Sequence, residues 1–474
     1  MPALRGALVQ MQVALQHAPF PILLVVAGDA ASGKGDVVNL LNAWLDPRGV
    51  ETFAFHEPTD EERERPPMWR YWRCLPPRGR MAIYAGGWHA DALRANPHTP
   101  HELDHFAERL RLFAHFERLL ADGGALIVKV WLQLSQAAQR ERLLALESDP
   151  DTAWRVTADD WQHNRDYEHH ARLSEQMRRA THKPGVPWHV IDATDPRARN
   201  LAVTDCVLAS FRRQLAAQLK IGPAAKPRRT VSLRPAGLRR LLALRLDQPL
   251  SEAAYGEKRD KWLGRLHRAV RTAAERGRSI VWVFEGWDAA GKGGAIRRLC
   301  GLLDAAHYQV FPIPAPTPEE KARHYLWRFW NKVPAPGHLA VFDRSWFGRV
   351  MVERVEGFAK DAEWARAYAE INDFEARLAE TGMVVLKLWI NISKEEQLRR
   401  FHAREISPHK RHKMTKEDYR NRKKWDENVR AAEDMIARTD TPHAPWVVVS
   451  GDDKRYARVA TLKAVCRALS DRLD

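Results

Sequence analysis

The segment GWDAAGKG, residues 286–293, has the glycine spacing of a phosphate-binding loop but lacks the Ser or Thr that usually follows the lysine. Glycines let the backbone turn sharply and bring its N–H groups close to an anion, and the helix that follows adds its positive end. Lys292 supplies a cation for a phosphoryl oxygen. The predicted phosphate-binding backbone comprises Gly286, Ala289, Ala290, Gly291, Gly293 and Gly294.

The missing hydroxyl at Gly293 means that a magnesium ion needs other ligands. Asp288 lies inside the loop, and Asp343 ends the apolar run AVFD, as a strand-end metal ligand does. We predict that these two carboxylates hold Mg2+, that Arg344 neutralises charge on a transferring phosphoryl group, and that Arg349 reaches the same site. A glycine-rich turn or a helix-capping Asp is the simpler interpretation of each motif alone. Their combination favours a phosphate site.

A strongly basic segment spans residues 399–424, with 11 Lys or Arg against 3 Asp or Glu. Such a run is most often a solvated helix face. Here it follows a predicted strand of a phosphate-loop domain, where a mobile lid closes cations over phosphates and excludes water. We therefore predict a helical lid.

Nearly continuous apolar runs alternate with helix-length stretches and are typical of strands covered on both faces. In the second half of the chain they span residues 279–286, 308–314, 338–345, 383–393 and 445–453. The pattern predicts an α/β fold in which helices sandwich a parallel sheet and ligands bind at the carboxyl ends of the strands. The phosphate loop falls where the first of these strands meets a helix.

The chain repeats itself at a constant spacing of 258 residues. GDAASGKG (28–35) precedes its second occurrence by that spacing, and Trp69, Arg70 and Trp72 match Trp327, Arg328 and Trp330. We predict two tandem P-loop kinase-like domains that form an internal pseudo-dimer. The first copy comprises residues 1–219 and the second copy comprises residues 251–474. A Pro- and Arg-rich linker, residues 220–250, separates them.

The first copy keeps Gly28, Gly33, Gly35 and Lys34 but loses the other features together. At the same spacing Ala30 replaces Asp288, while Ala85 and Gly86 replace Asp343 and Arg344. Residues 141–166, which match the basic run, hold 3 Lys or Arg against 7 acids. We predict that the first copy is catalytically inactive and serves as a structural partner.

Bulk composition restricts the class of protein and its partner. The 474 residues contain no apolar run near the ~20 residues that a membrane helix needs, and the N-terminus lacks a signal peptide's apolar centre. The four cysteines form no C-x-x-C pair, which favours a reducing cytoplasm. The net charge of +16 favours a polyanionic partner: nucleic acid, an anionic membrane or a polyphosphorylated molecule.

The motifs GWDAAGKGGAI, DRSWFGR and KRHKMTKEDYRNRKKW resemble the loop, strand-end and lid motifs of the family-2 polyphosphate kinases. The resemblance spans nearly all of residues 251–474 and, more weakly, the first copy. It implies transfer of a phosphoryl group from inorganic polyphosphate to a nucleotide, and the tandem arrangement implies AMP as acceptor and ADP as product. It also implies catalytic roles for Asp288, Lys292, Asp343 and Arg344, and lid cations at Arg404, Lys410, Arg411 and Lys413. Phe347-Gly348 departs from the Tyr-Asn of single-domain members.

Three other functions stay open at this point. They are a polyphosphate-dependent nucleoside diphosphate kinase, an ATP-dependent nucleoside monophosphate kinase, and a nucleic-acid-binding P-loop protein whose basic run grips backbone phosphates. We expect neither nucleic acid nor a membrane as partner. Trp131, Trp389, Trp188 and Trp446 repeat within strand-like runs, and we interpret them as packing residues.

Overall fold

The computed structural model describes residues 2–220, 240–301, 303–409 and 416–473, and it contains one five-stranded sheet in each copy. The strands of the first are β1 (Ile22–Gly28), β2 (Val50–Ala54), β3 (Met81–Ala85), β4 (Leu126–Gln133) and β5 (Trp188–Asp192). Those of the second are β6 (Ile280–Gly286), β7 (Tyr308–Pro312), β8 (Leu339–Asp343), β9 (Val384–Asn391) and β10 (Trp446–Ser450). All neighbouring strands pair parallel, in the orders β2-β3-β1-β4-β5 and β7-β8-β6-β9-β10.

Helices connect the strands in both copies. The first copy contains α1 (Pro2–Leu15), α2 (Lys34–Trp44), α3 (Asp60–Arg63), α4 (Trp69–Arg73), α5 (Gly87–Arg94), α6 (Pro100–Asp122), α7 (Gln136–Ser148), α8 (Ala158–Arg165), α9 (Tyr167–Thr181) and α10 (Pro196–Lys220). The second contains α11 (Glu252–Glu275), α12 (Lys292–Cys300), α13 (Pro318–Lys321), α14 (Trp327–Trp330), α15 (Val352–Val355), α16 (Asp361–Glu380), α17 (Lys394–Ile406), α18 (Lys416–Lys423), α19 (Trp425–Thr439) and α20 (Lys454–Leu473). Short 3-10 turns lie at Pro47–Gly49, Ala153–Arg155, Ala305–His307 and Trp346–Arg349.

The central strands are buried on both faces, which explains why their sequences do not alternate. In β6 every residue before Gly286 is buried, and β9 is buried along its whole length. The predicted α/β fold with helix-covered parallel sheets is therefore confirmed, and each predicted strand of the second copy contains one of the strands β6–β10. The tryptophans of β4, β5, β9 and β10 are at most 5% exposed, in agreement with a packing role.

The chain divides into two compact units. The first comprises Met1–Thr59, Arg70–Lys226 and Pro318–Trp327, and the second comprises Asp60–Trp69, Pro227–Thr317 and Arg328–Asp474. Each unit thus includes a ten-residue segment from the other copy of the repeat. Among the residues described, no helix is long and apolar enough to cross a membrane.

A buried lysine–glutamate pair recurs at the same place in both copies. Lys387 of β9 donates to Glu375 of α16 at 2.5 Å and to the Thr439 carbonyl at 2.5 Å, and Glu375 also accepts from the Trp346 indole at 3.0 Å. Burial raises the pKa of Glu375 and lowers that of Lys387. Because either group alone would be an uncompensated charge in the core, the pair fixes α16 and α19 against the sheet.

The first copy repeats this network with one addition. Lys129 donates to Glu117 at 2.6 Å and to the Thr181 carbonyl at 2.7 Å, while Trp88 donates to Glu117 at 3.1 Å. His89, which stands where the second copy has Phe347, lies 3.0 Å from the same carboxylate. The scaffold has therefore been kept in a copy that has lost the other chemical features.

We expect Lys387→Met to lower the free energy of unfolding of the second unit by about 3–5 kcal/mol, because it leaves Glu375 buried without its cation. Chemical denaturation followed by tryptophan fluorescence measures the change. Lys129→Met is the matched control, and it should destabilise the first unit instead. A loss below about 1 kcal/mol for Lys387→Met would mean that Glu375 is satisfied without the lysine.

Candidate active site

The phosphate loop of the second copy connects the central strand β6 to α12. Gly286 must be glycine, since a β-carbon there would collide with the carbonyl oxygen of Ile390 in β9. Ala289 (φ +63°) and Gly291 (φ +114°) turn the backbone through left-handed conformations. Lys292 begins α12 and folds back, its ammonium donating to the carbonyls of Gly286 (2.7 Å) and Trp287 (3.1 Å). The loop thus has the form of an anion cradle at a helix N-terminus.

Both carboxylate oxygens of Asp288 are engaged. Arg344 donates to Oδ1 at 2.6 Å, and Asn421 of α18 donates to Oδ2 at 2.9 Å. Burial opposes ionisation of Asp288, but Arg344 and then Lys292 outweigh it and lower the pKa of the carboxyl. Asp288 is therefore a carboxylate at neutral pH.

Asp343 reaches the same loop from the neighbouring strand. It ends β8 opposite Phe284 of β6, and its Oδ2 lies 3.6 Å from the position that a β-carbon on Gly293 would occupy. A carboxylate thus stands beside the position where a P-loop Ser or Thr would place its hydroxyl. Oxygen ligands of this kind fit a hard divalent cation. Within the described ranges no group of three His, Cys, Asp or Glu residues is placed to hold a metal ion.

Glu285 is a buried acid that the sequence analysis missed. It precedes the loop, is 8% exposed, and accepts a hydrogen bond from Ser345 at 2.8 Å. Burial raises its pKa, while burial and then Arg344 lower the pKa of Lys292. The first copy has Ala27 and Gly87 at the two positions, so the 258-residue comparison could have identified the pair.

Arg344 adopts a backbone conformation that disfavours an arginine. Its φ is +65°, and Gly86 at the equivalent position of the first copy has φ +77°. The left-handed region costs a residue with a β-carbon roughly 1–2 kcal/mol. Strain of this kind persists where the surrounding structure and function require the side chain. The second copy thus keeps a strained arginine beside Asp288, where the first copy has a relaxed glycine.

The cations of the basic run have different positions. Arg400 of α17 is 5% exposed and donates to the carbonyls of Ala289, Ala290 and Gly451. It thus clamps the phosphate loop to the segment that follows β10. Arg142 makes the corresponding contacts with Ala31 and Ala193 in the first copy. Arg404 lines the cavity beside the loop. Lys410, Arg411 and Lys413 lie outside the described residues, and their predicted role stays a prediction.

Arg349, predicted to reach the phosphate site, lies on the 3-10 turn after β8. Its guanidinium forms an ion pair with Glu353 at 2.9 Å. The phosphate-binding role of Arg349 also stays a prediction.

Two adjoining cavities of the second copy are lined by arginines. The first, about 250 Å3, extends from the loop past Arg404 and Lys454 to Arg297, Arg298 and Arg458. The second, about 340 Å3, shares these last three arginines and reaches Tyr255 and Arg259 of α11. Among the residues that the structure describes, Arg297, Arg298 and Arg458 form no ion pair. The pKa of Arg298 is lowered, first by burial and second by the neighbouring positive charge of Arg458. Uncompensated cations in one groove are typical of a polyanion site.

The first copy has lost this groove's charges. Asn39, Leu40 and Asn200 occupy the positions of Arg297, Arg298 and Arg458. A sequence comparison between the copies at these three positions would have identified the groove. The periodicity of the sequence could not have identified the groove, because the three cations come from two different helices.

The phosphate loop of the first copy is filled by its own side chains. Lys34 folds back to the Gly28 and Asp29 carbonyls as Lys292 does, at 3.1 and 2.7 Å. However, Arg199, which is 2% exposed, donates to the Ser32 carbonyl at 3.0 Å and lies where a β-carbon on Gly33 would project. In the second copy, Ala457 stands at the position of Arg199 and lines the open cavity.

The chain is similar to known proteins along nearly its whole length. The family model for polyphosphate kinase 2 matches residues 1–218 and 249–473. The polyphosphate:AMP phosphotransferase of Pseudomonas aeruginosa is 45% identical over 98% of this chain and 94% of its own length. The ADP-polyphosphate phosphotransferase of the same organism is 38% identical over 46% of this chain and 75% of its own length. A crystal structure of a polyphosphate kinase 2 from P. aeruginosa PA01 matches 99% of this chain and 94% of its own, with 42% identity and a TM-score of 0.86.

We expect the free energy of unfolding of Arg344→Gly to exceed that of Arg344→Ala by about 1 kcal/mol, because glycine adopts the left-handed backbone conformation without strain. Chemical denaturation of the two variants measures the difference. The matched control is Arg271 on the exposed face of α11, where Gly should be less stable than Ala by about 1 kcal/mol. If Gly were also the less stable residue at position 344, the left-handed conformation would be wrong.

Proposed function

This chain belongs to the polyphosphate kinase 2 family, and from that premise we propose that it transfers the terminal phosphoryl group of inorganic polyphosphate to AMP. The products are ADP and a polyphosphate one unit shorter. We propose further that the second copy performs the reaction with Mg2+ and that the first copy is inactive. The four cysteines all lie in the described ranges and form no disulfide, which supports a reducing cytoplasmic location.

The arginine-lined groove is the observation that carries the choice of donor. A nucleoside triphosphate presents three phosphates and a neutral base, whereas the cations continue from Arg404 beside the loop to Arg259 on α11. A linear chain with about one charge per phosphate can engage such a path along its length. The absence of the three central arginines from the first copy supports a role in the chemistry rather than in folding.

The acceptor follows from the tandem architecture. The relative that aligns with both copies is named for AMP, whereas the relative named for ADP aligns with about half of the chain. The phosphate of AMP is already ionised, so its oxygen can attack without a general base. We therefore assign the side chains around the loop to binding and charge stabilisation.

The loop residues perform the transfer through position and charge. The N–H groups of the loop and the ammonium of Lys292 hold the terminal phosphates, which fixes the reacting phosphorus for in-line attack. An oxygen of AMP forms the new P–O bond as the bond to the bridging oxygen breaks, and the shortened chain leaves with that electron pair. Arg344 stabilises charge on the equatorial oxygens. Asp288 and Asp343 would hold Mg2+, which would neutralise part of the charge of the reacting phosphoryl groups.

We expect ADP to form from AMP, Mg2+ and long-chain polyphosphate without ATP, measured by chromatography. Asp288→Asn should lower kcat at least 100-fold, because a metal ligand and the partner of Arg344 are lost together. Lys34→Ala, in the loop that Arg199 fills, should retain wild-type turnover. Turnover with ATP but none with polyphosphate would contradict the proposed donor. Equal losses in both variants would contradict an inactive first copy.

We expect Arg297→Gln/Arg458→Gln to raise KM for long-chain polyphosphate at least tenfold, because two charge-assisted contacts are removed. KM for AMP should change less than about threefold, and the loss with tripolyphosphate should be smaller than with the long chain, since a short donor engages fewer of the cations along the two cavities. Arg268→Gln/Arg271→Gln, which removes two exposed cations of α11, is the charge-matched control. Equal losses with tripolyphosphate and the long chain would contradict a groove that binds the distal phosphates.

A further inference from the structure

Asn421 connects a helix within the basic segment to the acid inside the phosphate loop. It belongs to α18, and its amide donates to Oδ2 of Asp288 at 2.9 Å while Arg344 occupies Oδ1. The Asp288 side chain is only 12% exposed. Its orientation is therefore determined by these two donors rather than by water.

The other contacts of α18 explain how Asn421 is presented to the loop. Arg420 of α18 and Lys424, the residue after the helix, form ion pairs with Glu356 at 3.4 and 3.3 Å, and Arg422 donates to the Lys394 carbonyl at 2.6 Å. Glu356 itself is 8% exposed. These contacts fix the helix on two sides, which leaves the Asn421 amide directed at Asp288.

The chemistry of an amide suits a neighbour of a metal ligand. An ionised carboxylate offers about four lone-pair sites, and Arg344 and Asn421 use two of them, so others remain for a cation. The amide is neutral, so it orients the carboxylate without cancelling its charge. A lysine or arginine at position 421 would compete with the metal for that charge.

The first copy loses both members of this pair. Ala30 and His163 occupy the positions of Asp288 and Asn421. The buried lysine–glutamate pair and the arginine clamp, which serve the fold, are kept in both copies. Asn421 and Asp288 are thus both absent from the first copy, whereas the contacts that serve the fold are kept. We therefore associate Asn421 with Asp288 rather than with the fold.

We propose that Asn421 is a positioning residue that orients Asp288 for the divalent metal ion and thereby links the docking of α18 to the metal site. This rests on the proposed function only in taking Asp288 as a metal ligand. Residues that orient a ligand typically contribute 10–100-fold to metal affinity or activity.

A tryptophan pair beside Asn421 reports whether α18 remains docked. Trp425 starts α19 immediately after α18, and its ring lies 4.8 Å from that of Trp287 in the phosphate loop. Trp287 is anchored in turn by a hydrogen bond to Asn391 at 2.7 Å. The chain has 18 tryptophans, so the near-UV circular dichroism of this pair is taken as the difference between a variant and the same variant with Trp425→Phe. That difference distinguishes loss of orientation from displacement of the helix.

The experiment measures Mn2+ affinity by electron paramagnetic resonance, without AMP or polyphosphate. We expect Asn421→Ala to weaken Mn2+ binding 10–100-fold and to keep the near-UV spectrum, and Asn421→Gln, which retains an amide donor, to recover part of the loss. Asn428→Ala is the matched control. Asn428 donates to the backbone of Asn421 and Lys424 at 3.2 and 3.0 Å, and we expect its Mn2+ affinity within about twofold of wild type.

Three results would overturn the proposal. The first is an unchanged Mn2+ affinity in Asn421→Ala. The second is an equal loss of Mn2+ affinity in Asn421→Ala and Asn428→Ala together with an altered near-UV spectrum. The third is a wild-type protein that binds no Mn2+ in the absence of phosphate. Failure of the proposed function is a separate outcome. In that case wild type and Asn421→Ala would still differ in Mn2+ affinity while neither produced ADP from polyphosphate.

Discussion

The parallel pairing of β6 between β8 and β9 is the constraint on which the rest of the second copy depends. Parallel strands end at the same edge of a sheet, so the loop after Gly286, the Asp343–Arg344 pair and the start of α17 meet there without any long connection. The close approach of Gly286 to Ile390 then fixes the path of the loop. The position of β6 between β8 and β9 therefore determines which side chains meet at the site.

The two copies separate what maintains this frame from what uses it. Both keep the buried lysine–glutamate pair, the arginine that clamps the loop, and the lysine that folds back to the loop carbonyls. The strained Arg344, the carboxylate of Asp288 and the cation-lined groove belong to the second copy, and the equivalent positions of the first copy hold Gly86, Ala30 and the uncharged residues Asn39, Leu40 and Asn200. Duplication thus supplies an internal comparison in which backbone geometry is nearly constant and charge is the variable.

Opposed charges at close range define the electrostatics of the loop. Burial alone would favour neutral forms of Asp288 and Lys292, and the pKa of Lys292 is indeed lowered. Arg344 nevertheless keeps Asp288 ionised, and Asp288 in turn raises the pKa of Arg344 against the effect of burial. The site therefore holds preorganised charges of both signs, which is the requirement for stabilising a transferring phosphoryl group.

The sequence by itself determined the duplication, the parallel α/β fold, the place of the loop and the candidates Asp288, Lys292, Asp343 and Arg344, because these follow from local pattern and from one constant spacing. Only the tertiary structure brought Asn421 to Asp288, 133 residues apart, and Arg458 to Arg297. It also decided that Arg400 clamps the loop and that Arg199 fills the loop of the first copy. Such contacts depend on how helices pack across a sheet edge, and no periodicity in the chain records that packing.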